Sequence, residues 1–395
     1  MSVTRALGFS IASGEAGIRE SGGPDLVLIA SDRTASAAAT FTTNLMRAAP
    51  VLLAQESLAT TAASVRGVVI NAGCANAGTG PGGLEDARTV VSAAAAALGC
   101  AADEVLPAST GLIGSRLPVR AMVETIGSMR LTRSRAAAAR AARAIMTTDT
   151  RPKEHAVSAQ LQDGREIRIG GMAKGAGMIH PQMATMLAFL TTDAPIDPAA
   201  LGSVLRPVVE RTFNQVSVDG DTSTNDAVMV LANGAAGGPP IDGHDRQKFA
   251  DALEAVCQTL AIAIAADGEG ASHVIEVTVN GAADDAAARA VARTVAASSL
   301  VKTAVHGADP NWGRIAAAAG RSGVSFDPDR MRIRIGEVPV YDGRPLDFDD
   351  ARARRILRRA IVPLVLDLLA GNGTGTAWGC DLSAEYVAIN SEYTT

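Results

Sequence analysis

The chain has 395 residues and a formal net charge of −5, and 47% of its residues are hydrophobic, 19% charged and 3% aromatic. This length and composition are typical of a globular protein that forms more than one domain or layer. The acidic balance and the shortage of aromatic side chains argue against a nucleic-acid binder, which needs a basic face or stacking platforms.

The first half of the chain alternates apolar strand patterns with Ala-rich helix patterns. In chain order the sequence predicts a strand at 65–70, a turn-rich loop at 71–83, helices at 84–98 and 133–146, and a strand at 167–171. Gly99 is expected to end the first of these helices. The apolar run at 186–191 fits either a strand or the start of a helix, because a run this short does not separate the two.

The second half continues the mixture and contains no internal repeat. Its predicted elements are a helix at 197–211, a strand at 225–231, a loop at 237–243, a helix at 245–265, a strand at 274–279, a helix at 285–296 with Asp284 as its N-cap, a hairpin of 332–335 and 338–341, a helix at 352–370 and a strand at 386–389. This mixture predicts an α/β or α+β fold.

The segment 174–193 is the most informative part of the sequence. It places the Ala184–Thr185 bond between a Gly-rich turn and an apolar run. Cleavage there would leave Thr185 as a new N-terminus, with a hydroxyl nucleophile and an amine base on one residue. A free α-amine has a pKa of about 7.7–8.0, which suits a general base. On the residues alone, a β-branched residue that begins a buried segment is the more frequent explanation.

This segment resembles the processing site of the ornithine acetyltransferase family, also called glutamate N-acetyltransferase. Further blocks similar to that family follow the same order along most of the chain. They are STGLIG at 109–114, MTTDT at 146–150 with Pro-Lys at 152–153, FNQVSVDGDTSTND at 213–226, DGEGA at 267–271, LVKTA at 300–304 with GADPNWGR at 307–314, and NSEYTT at 390–395. The ordered set is much more specific than any one of its members.

The resemblance implies a four-layer αββα sandwich with a smaller C-terminal α/β domain. We place the sandwich domain at 1–272, where it carries the cleavage site, and the smaller domain at 273–395. Cleavage would give an alpha chain, 1–184, and a beta chain, 185–395. These are expected to stay interlocked, because cutting a loop removes none of the packed core. The family further implies a pair of such heterodimers.

The resemblance also implies an activity, which is acetyl transfer from N2-acetyl-L-ornithine to L-glutamate through an acetyl ester on Thr185. The order of this reaction is ping-pong, and it belongs to arginine biosynthesis. Acetyl-CoA as a second donor and a role in secondary metabolism both stay open, and no cofactor is expected. Two other hypotheses are an N-terminal-nucleophile aminopeptidase or amidase of related fold, and an uncleaved, non-enzymatic homologue.

Several site residues follow from the family blocks. Thr110 and Gly111 match the oxyanion hole, although a plain turn after Pro107 would give the same residues. Lys174 matches a substrate-binding lysine, whose alternative is a solvated loop lysine. The remaining substrate contacts implied by the resemblance are Thr148, Thr185, Glu269, Asn390 and Thr395.

Other features of the sequence predict no further chemistry. The stretch 219–230 has Thr224 and Val230 where a calcium loop needs Gly and Glu, so it is expected to be a hydrogen-bonded turn. The four cysteines lie far apart without zinc spacing, which predicts reduced thiols and no metal site. No apolar run could span a membrane and no secretory signal begins the chain, so we expect a cytoplasmic protein. His180 lies near the cut, and its role stays open.

Overall fold

The computed structural model of the chain describes residues 2–180 and 186–392. Its strands are β1 (Phe9–Gly14), β2 (Leu26–Phe41), β3 (Val65–Cys74), β4 (Val105–Leu112), β5 (Lys153–Gln160), β6 (Glu166–Lys174), β7 (Leu187–Thr192), β8 (Val216–Ser217), β9 (Ala227–Ala232), β10 (Val274–Ala282), β11 (Arg332–Ile335), β12 (Val338–Asp342), β13 (Ile361–Asp367) and β14 (Gly373–Cys380). Its helices are α1 (Ala49–Thr61), α2 (Gly80–Leu98), α3 (Val119–Ser128), α4 (Arg135–Ala144), α5 (Pro198–Arg211), α6 (Gly243–Ala265), α7 (Asp285–Ala296), α8 (Ser299–His306), α9 (Trp312–Gly320), α10 (Asp350–Leu357) and α11 (Ala384–Glu392).

The long strand β2 organises the larger sheet, whose order is β4-β3-β2-β9-β7-β6-β5 with β1 also paired to β2. The first half of β2 pairs with β1 and β3, and its second half, from Ser36 to Phe41, pairs with β9. One strand therefore belongs to both halves of the sheet.

The period-2 alternation of side chains shows that these two halves stack on each other. In β2, Val27 and Ile29 point into a central cluster, while Leu28 points outward to the cluster under α2 and α3. In β7, Phe189 joins the same central cluster, and Leu190 faces outward to α5 and α6. The layers are therefore helix, sheet, sheet and helix, which confirms the predicted αββα arrangement.

A second sheet has the order β12-β11-β13-β10-β14-β8. Alternate residues of β10 and β13 pack with α7, α9 and α10 in a cluster of their own. The strand β8 comes from the chain between α5 and β9, so the larger sandwich contributes an edge strand to this sheet. The division of the chain at residue 272 stays a prediction.

The predicted helix at 352–370 is wrong beyond Leu357. The chain turns there into β13, which pairs in parallel with β10 and antiparallel with β11. Val362, Leu364 and Leu366 are fully buried and alternate with partly or fully exposed residues, which is the pattern of a strand. Pro363 lacks the N–H that a helix interior needs.

The predicted strand at 386–389 is also wrong, because these residues lie in α11. The four-residue apolar run has no free edge of the neighbouring β14 to join, since that strand already lies between β10 and β8. No residue of α11 is buried. The helix therefore lies on the surface, with Ser383 Oγ before it donating to the Gly270 carbonyl.

Most other predicted elements are confirmed, with bounds that move by a few residues. Gly99 ends α2 with φ of 66°, and Asp284 accepts a hydrogen bond from Ala287 N at 2.8 Å at the start of α7. The predicted hairpin is β11–β12, and the ambiguous run at 186–191 is β7. In the part of the chain that the structure describes, no helix is long and apolar enough to cross a membrane.

Candidate active site

One pocket gathers six of the predicted site residues from five separate segments of the chain. It lies where β4 and β6 end, against the 267–271 turn and α11, and the six residues are Thr110, Gly111, Thr148, Lys174, Glu269 and Asn390. Sequence reasoning named none of the other lining residues as a catalytic or substrate-binding residue, and these are Ala75, Ile113, Thr147, Gly177, Met178, Ser223, Thr224 and Asn225. Most of these lie in or beside the family blocks, which is the signal that could have found them.

Gly111 is a glycine for a steric reason. It has φ of +129°, and a Cβ on it would lie 2.3 Å from the carbonyl carbon of Gly73 on the neighbouring strand β3. Thr110 and Gly111 are part of the end of β4, so the alternative of a plain turn after Pro107 is wrong. The close approach of the two strands brings the backbone of β4 to the pocket wall.

Lys174 is the buried cation of the pocket. Only 2% of this residue is exposed, at the end of β6, so the alternative of a solvated loop lysine is wrong. Its Nζ donates to Thr147 Oγ1 at 2.6 Å and to Thr110 Oγ1 at 3.2 Å, and lies 3.9 Å from Asp149 Oδ2. Burial lowers the pKa of Lys174, and the negative charge of Asp149 opposes that shift in part.

A buried ion cluster supports Lys174 from behind. Lys153 Nζ lies 2.6 Å from Asp149 Oδ1 and 2.6 Å from Asp267 Oδ2, and all three side chains are almost inaccessible. Gly175 N also donates to Asp149 Oδ1, at 2.7 Å. Burial alone would raise the pKa of Asp149, but Lys174 and Lys153 outweigh it and the pKa is lowered. Asp149 is therefore a charged anchor for the end of β6.

Glu269 and Asn390 form a polar pair at the pocket mouth. Asn390 Nδ2 donates to Glu269 Oε2 at 2.8 Å, which ties α11 to the 267–271 turn. A Cβ on Gly177 would lie 2.4 Å from Glu269 Oε1, so the absence of a side chain there lets the carboxylate pack against the turn. A half-buried carboxylate in this place suits an amine or ammonium group of a substrate.

The proposed cleavage site, Ala184 and Thr185, lies outside the described residues, and so does Thr395. The chain leaves β6 after Lys174 and enters β7 at Leu187, and these two residues are paired across the strands. The described residues on each side of 181–185 are held by carboxylates. Asp219 accepts from Ile179 N at 2.8 Å, and Asp226 accepts from Met186 N at 2.9 Å.

The stretch that begins at Asp219 is a hydrogen-bonded turn, as predicted. The Asp219 carboxylate accepts from the backbone N–H groups of Met178, Ile179 and Asp221. Within residues 2–180 and 186–392, no group of His, Cys, Asp and Glu side chains is arranged to hold a metal ion. His180 lies outside the pocket lining, with Nδ1 3.1 Å from Ser217 Oγ, and burial lowers its pKa.

Comparison with known proteins places this geometry in a family. The ArgJ family model matches residues 10–395. The "Arginine biosynthesis bifunctional protein ArgJ" of Thermosynechococcus vestitus is 48% identical over 411 residues, which cover 100% of this chain and 98% of that protein. The chloroplastic protein of the same name from Sorghum bicolor is 48% identical over 405 residues, with 100% and 87% covered.

A solved structure is also similar. It is the arginine biosynthesis bifunctional protein of Bacillus halodurans, at 44% identity and a TM-score of 0.50, and the match covers 51% of this chain and 97% of that chain. With a family match over nearly its whole length and relatives at 48% identity that it matches from end to end, the chain belongs to the ArgJ family and is an acyltransferase of arginine biosynthesis.

Proposed function

We propose that the chain cleaves itself at Ala184–Thr185 and then carries an acetyl group from N2-acetyl-L-ornithine to L-glutamate on Thr185. The observation that carries this proposal is the pocket in which Thr110, Gly111, Lys174 and Glu269 meet, beside the strand that begins just after Thr185. The donors, the cation and the carboxylate that acyl transfer between amino acids requires are thereby within one small space.

Two observations support cleavage, one from a similar structure and one from the backbone of this chain. The Bacillus halodurans chain is matched over 97% of its length but covers only 51% of this chain, which is the pattern expected of relatives divided near the middle. In this chain, Gly175 with φ of 151° and Met178 with φ of 56° turn the backbone sharply before residue 181. The Thr185 hydroxyl would attack the Ala184 carbonyl, and water would hydrolyse the resulting ester.

The transfer itself uses the same hydroxyl. It attacks the acetyl carbonyl of acetylornithine, and the α-amine of Thr185 takes its proton and passes it to the departing ornithine nitrogen. The amine of glutamate then attacks the acetyl ester and restores the hydroxyl. Thr110 accepts a hydrogen bond from Lys174, so its own O–H is free to donate to the tetrahedral oxygen together with Gly111 N–H. Each such donor lowers the barrier by about 3–4 kcal/mol.

The substrates are held by charge. Both are amino acids with an α-carboxylate, so the Lys174 ammonium serves both halves of the reaction. Glu269 has the charge to bind the side-chain ammonium of ornithine. Thr148, Asn390 and Thr395 supply further polar contacts in this proposal. No cofactor takes part.

The experiment is intact mass spectrometry of the purified protein before and after a short exposure to acetylornithine. We expect two chains, 1–184 and 185–395, and an acetyl adduct on the second. Thr185→Ala should give one full-length species without transfer, whereas Thr185→Ser keeps both a hydroxyl and an amine and should retain both reactions. Transfer by the Ala variant would remove Thr185 from the mechanism.

A second activity is favoured by the word "bifunctional" in the names of the relatives. We propose acetyl-CoA as the alternative donor, because its thioester presents the same acetyl carbonyl to Thr185. Release of free CoA in the presence of glutamate would support this, and its absence would restrict the enzyme to acetylornithine. Hydrolysis of peptide amides without transfer would instead favour the amidase hypothesis. Membership of an acyltransferase family argues against the non-enzymatic one.

A further inference from the structure

Asn225 is a buried residue of the pocket to which the reaction described above gives no role. It lies just before β9 and is 5% exposed. Its Nδ2 donates to the Ala75 carbonyl at 2.7 Å and to the Ser109 carbonyl at 2.9 Å, and its Oδ1 accepts from Thr224 Oγ1 at 2.6 Å. The opposite orientation of the amide would place Oδ1 against two carbonyl oxygens, so these partners hold the side chain in one orientation.

The two carbonyls belong to the neighbouring strands that end at the pocket. Ala75 directly follows β3, and Ser109 lies in β4, one residue before Thr110. The pairing of these two strands is irregular here, with a shift of register at Gly73 and Cys74. An amide that bonds to both strands therefore fixes their spacing where the regular ladder is disrupted.

The bond to Ser109 also restricts the residue that follows it. The Ser109 carbonyl and the Thr110 nitrogen share one planar peptide group, so holding the carbonyl oxygen also orients the backbone of Thr110. Lys174 Nζ donates to Thr110 Oγ1, which holds the side chain of the same residue. The positions of the Thr110 hydroxyl and of the adjoining Gly111 N–H thus depend on the amide of Asn225.

We propose that Asn225 is the positioning residue of the oxyanion hole. This inference rests on the proposed function, in which Thr110 and Gly111 stabilise the tetrahedral oxygen. Their donors must lie about 2.7–3.1 Å from that oxygen, and Asn225 keeps them there without exchanging a proton or bonding to the substrate. Because the charged oxygen exists only after attack on the acetyl carbonyl, loss of Asn225 should lower kcat and leave KM almost unchanged.

Asn233 provides a matched control at the other end of β9. It is 7% exposed, and its Nδ2 donates to the Leu7 carbonyl at 2.9 Å and to Ser31 Oγ at 3.2 Å. Its amide therefore also joins an end of β9 to distant segments of the chain. It lies outside the described lining of the pocket.

The test compares Asn225→Leu with Asn233→Leu in the full-length, self-cleaved enzyme. Leucine has nearly the shape of asparagine but no donor. Both variants should unfold at lower denaturant concentration, because each leaves a buried carbonyl without its donor. Only Asn225→Leu should lower kcat per cleaved chain, by about 10²-fold, with KM for acetylornithine within about two-fold of the wild type.

Three results would overturn the assignment. The first is an unchanged kcat in Asn225→Leu. The second is a raised KM with normal kcat, which would mean that Asn225 binds the substrate directly. The third is an equal fall of kcat in Asn233→Leu, which would make the effect one of general stability.

Two further measurements cover a variant that does not give active enzyme. If Asn225→Leu does not fold, Thr224→Val removes only the hydroxyl that orients the amide, and kcat should fall about 2- to 10-fold. An unchanged kcat in that variant contradicts the proposal. If Asn225→Leu folds but stays uncut, its crystal structure should show the Ser109 carbonyl displaced by more than about 0.5 Å, and a smaller displacement contradicts the proposal.

Failure of this inference differs from failure of the proposed function. Cut wild-type enzyme together with a fully active Asn225→Leu variant would refute only the role of Asn225. Uncut wild-type enzyme with full activity would refute the proposed function itself.

Discussion

Lys174 illustrates how a single side chain depends on its surroundings. Its ammonium is almost wholly buried, yet it contacts two hydroxyl oxygens and lies near the carboxylate of Asp149. The negative charge of Asp149 opposes the loss of the Lys174 charge that burial favours. The ammonium can therefore bind a substrate carboxylate in a pocket from which water is partly excluded, where such a contact is strong.

We expect Lys174→Met to weaken binding of both substrates. A hydrogen bond to a charged group contributes about 1.5–3 kcal/mol, so KM should rise roughly 10- to 100-fold for acetylornithine and for glutamate. Lys302→Met is the control, because Lys302 is equally buried but donates to the Cys380 carbonyl beside the second sheet. The control should unfold at lower temperature with KM unchanged. Equal KM values for the Lys174 variant and the wild type would contradict the role of this cation.

The alkaline side of the pH profile depends on the same residue. Because burial lowers the pKa of Lys174 from its ordinary 10.5, its charge is lost as pH rises through that lower value, and KM should rise there. Asp149→Asn removes the charge that opposes the shift, so the rise in KM should begin at still lower pH. Asp25→Asn is the control, since Asp25 is buried but accepts only from backbone N–H groups at 16–19. An alkaline rise that starts at the same pH in the Asp149 variant would contradict the coupling.

At the scale of elements, the turn after β6 shapes the pocket because Gly177 in this turn has no side chain. In Gly177→Ala the new Cβ would meet the Glu269 carboxylate, which is the mobile end of a side chain and can move away at small cost. We expect a change of less than about 1 kcal/mol in the free energy of unfolding, because no backbone is displaced. The Glu269–Asn390 hydrogen bond should be lost and KM should rise. A large loss of stability with normal KM would show that the turn has only a structural role.

At the strand pair β3–β4, by contrast, a Cβ added to a glycine should cost much stability. In Gly111→Ala the Cβ would meet the backbone of Gly73, and the residue keeps φ of +129°, so neither obstacle can be relieved by a side-chain rotation. We expect a loss of about 2–5 kcal/mol in the free energy of unfolding, measured by denaturant titration. Gly127→Ala in α3, where a Cβ meets open space, should be neutral or stabilising by about 1 kcal/mol. If both variants unfold at the same denaturant concentration, the steric explanation of Gly111 is wrong.

Local sequence signals predicted some elements well and others poorly. The cap at Asp284 and the hairpin at Gly336 are determined by neighbours a few residues away, and both are confirmed. No part of β2 was predicted, and its second half could not be, because its Ala-rich sequence has little strand preference and its partner β9 lies some 190 residues further along the chain. Helix and strand preferences compete in the stretch that begins at Arg352. There the pairing of β13 with β10 and β11 decides that the chain forms a strand after Leu357.

The site shows the same division. Thr110, Lys174 and Glu269 could be named from the sequence because they lie in recognisable blocks, and the structure brings them together. The residues that support them could not be named from the sequence, because the Asp149–Lys153–Asp267 cluster forms only when distant segments pack together. Sequence patterns therefore predicted residues that line the pocket better than the residues that support them.

At the scale of the whole molecule, the order of strands determines what cleavage can do. β7 and β9, which follow the proposed cut, lie between β2 and β6, which precede it. Separating the two chains would break the β2–β9 and β6–β7 ladders and open the central core. We therefore propose that the cut enzyme remains one particle, and that two such heterodimers associate.

Size-exclusion chromatography checks this expectation. The elution volume of the cut protein should equal that of uncut Thr185→Ala, and the two chains should separate only in denaturant. Comparison of the measured mass with that of one chain also gives the state of association. Release of either chain in buffer without denaturant would contradict the interlocked sheet.

The position of β7 between strands from the other side of the cut has a consequence for biogenesis. If the bond breaks as proposed, we expect hydrolysis only after β6, β7 and β9 have paired. Cleavage would then report that the chain has finished folding. A molecule trapped on the way would stay whole. The fraction of cleaved chains in a fresh preparation should then equal the fraction of newly made chains that reached the folded state.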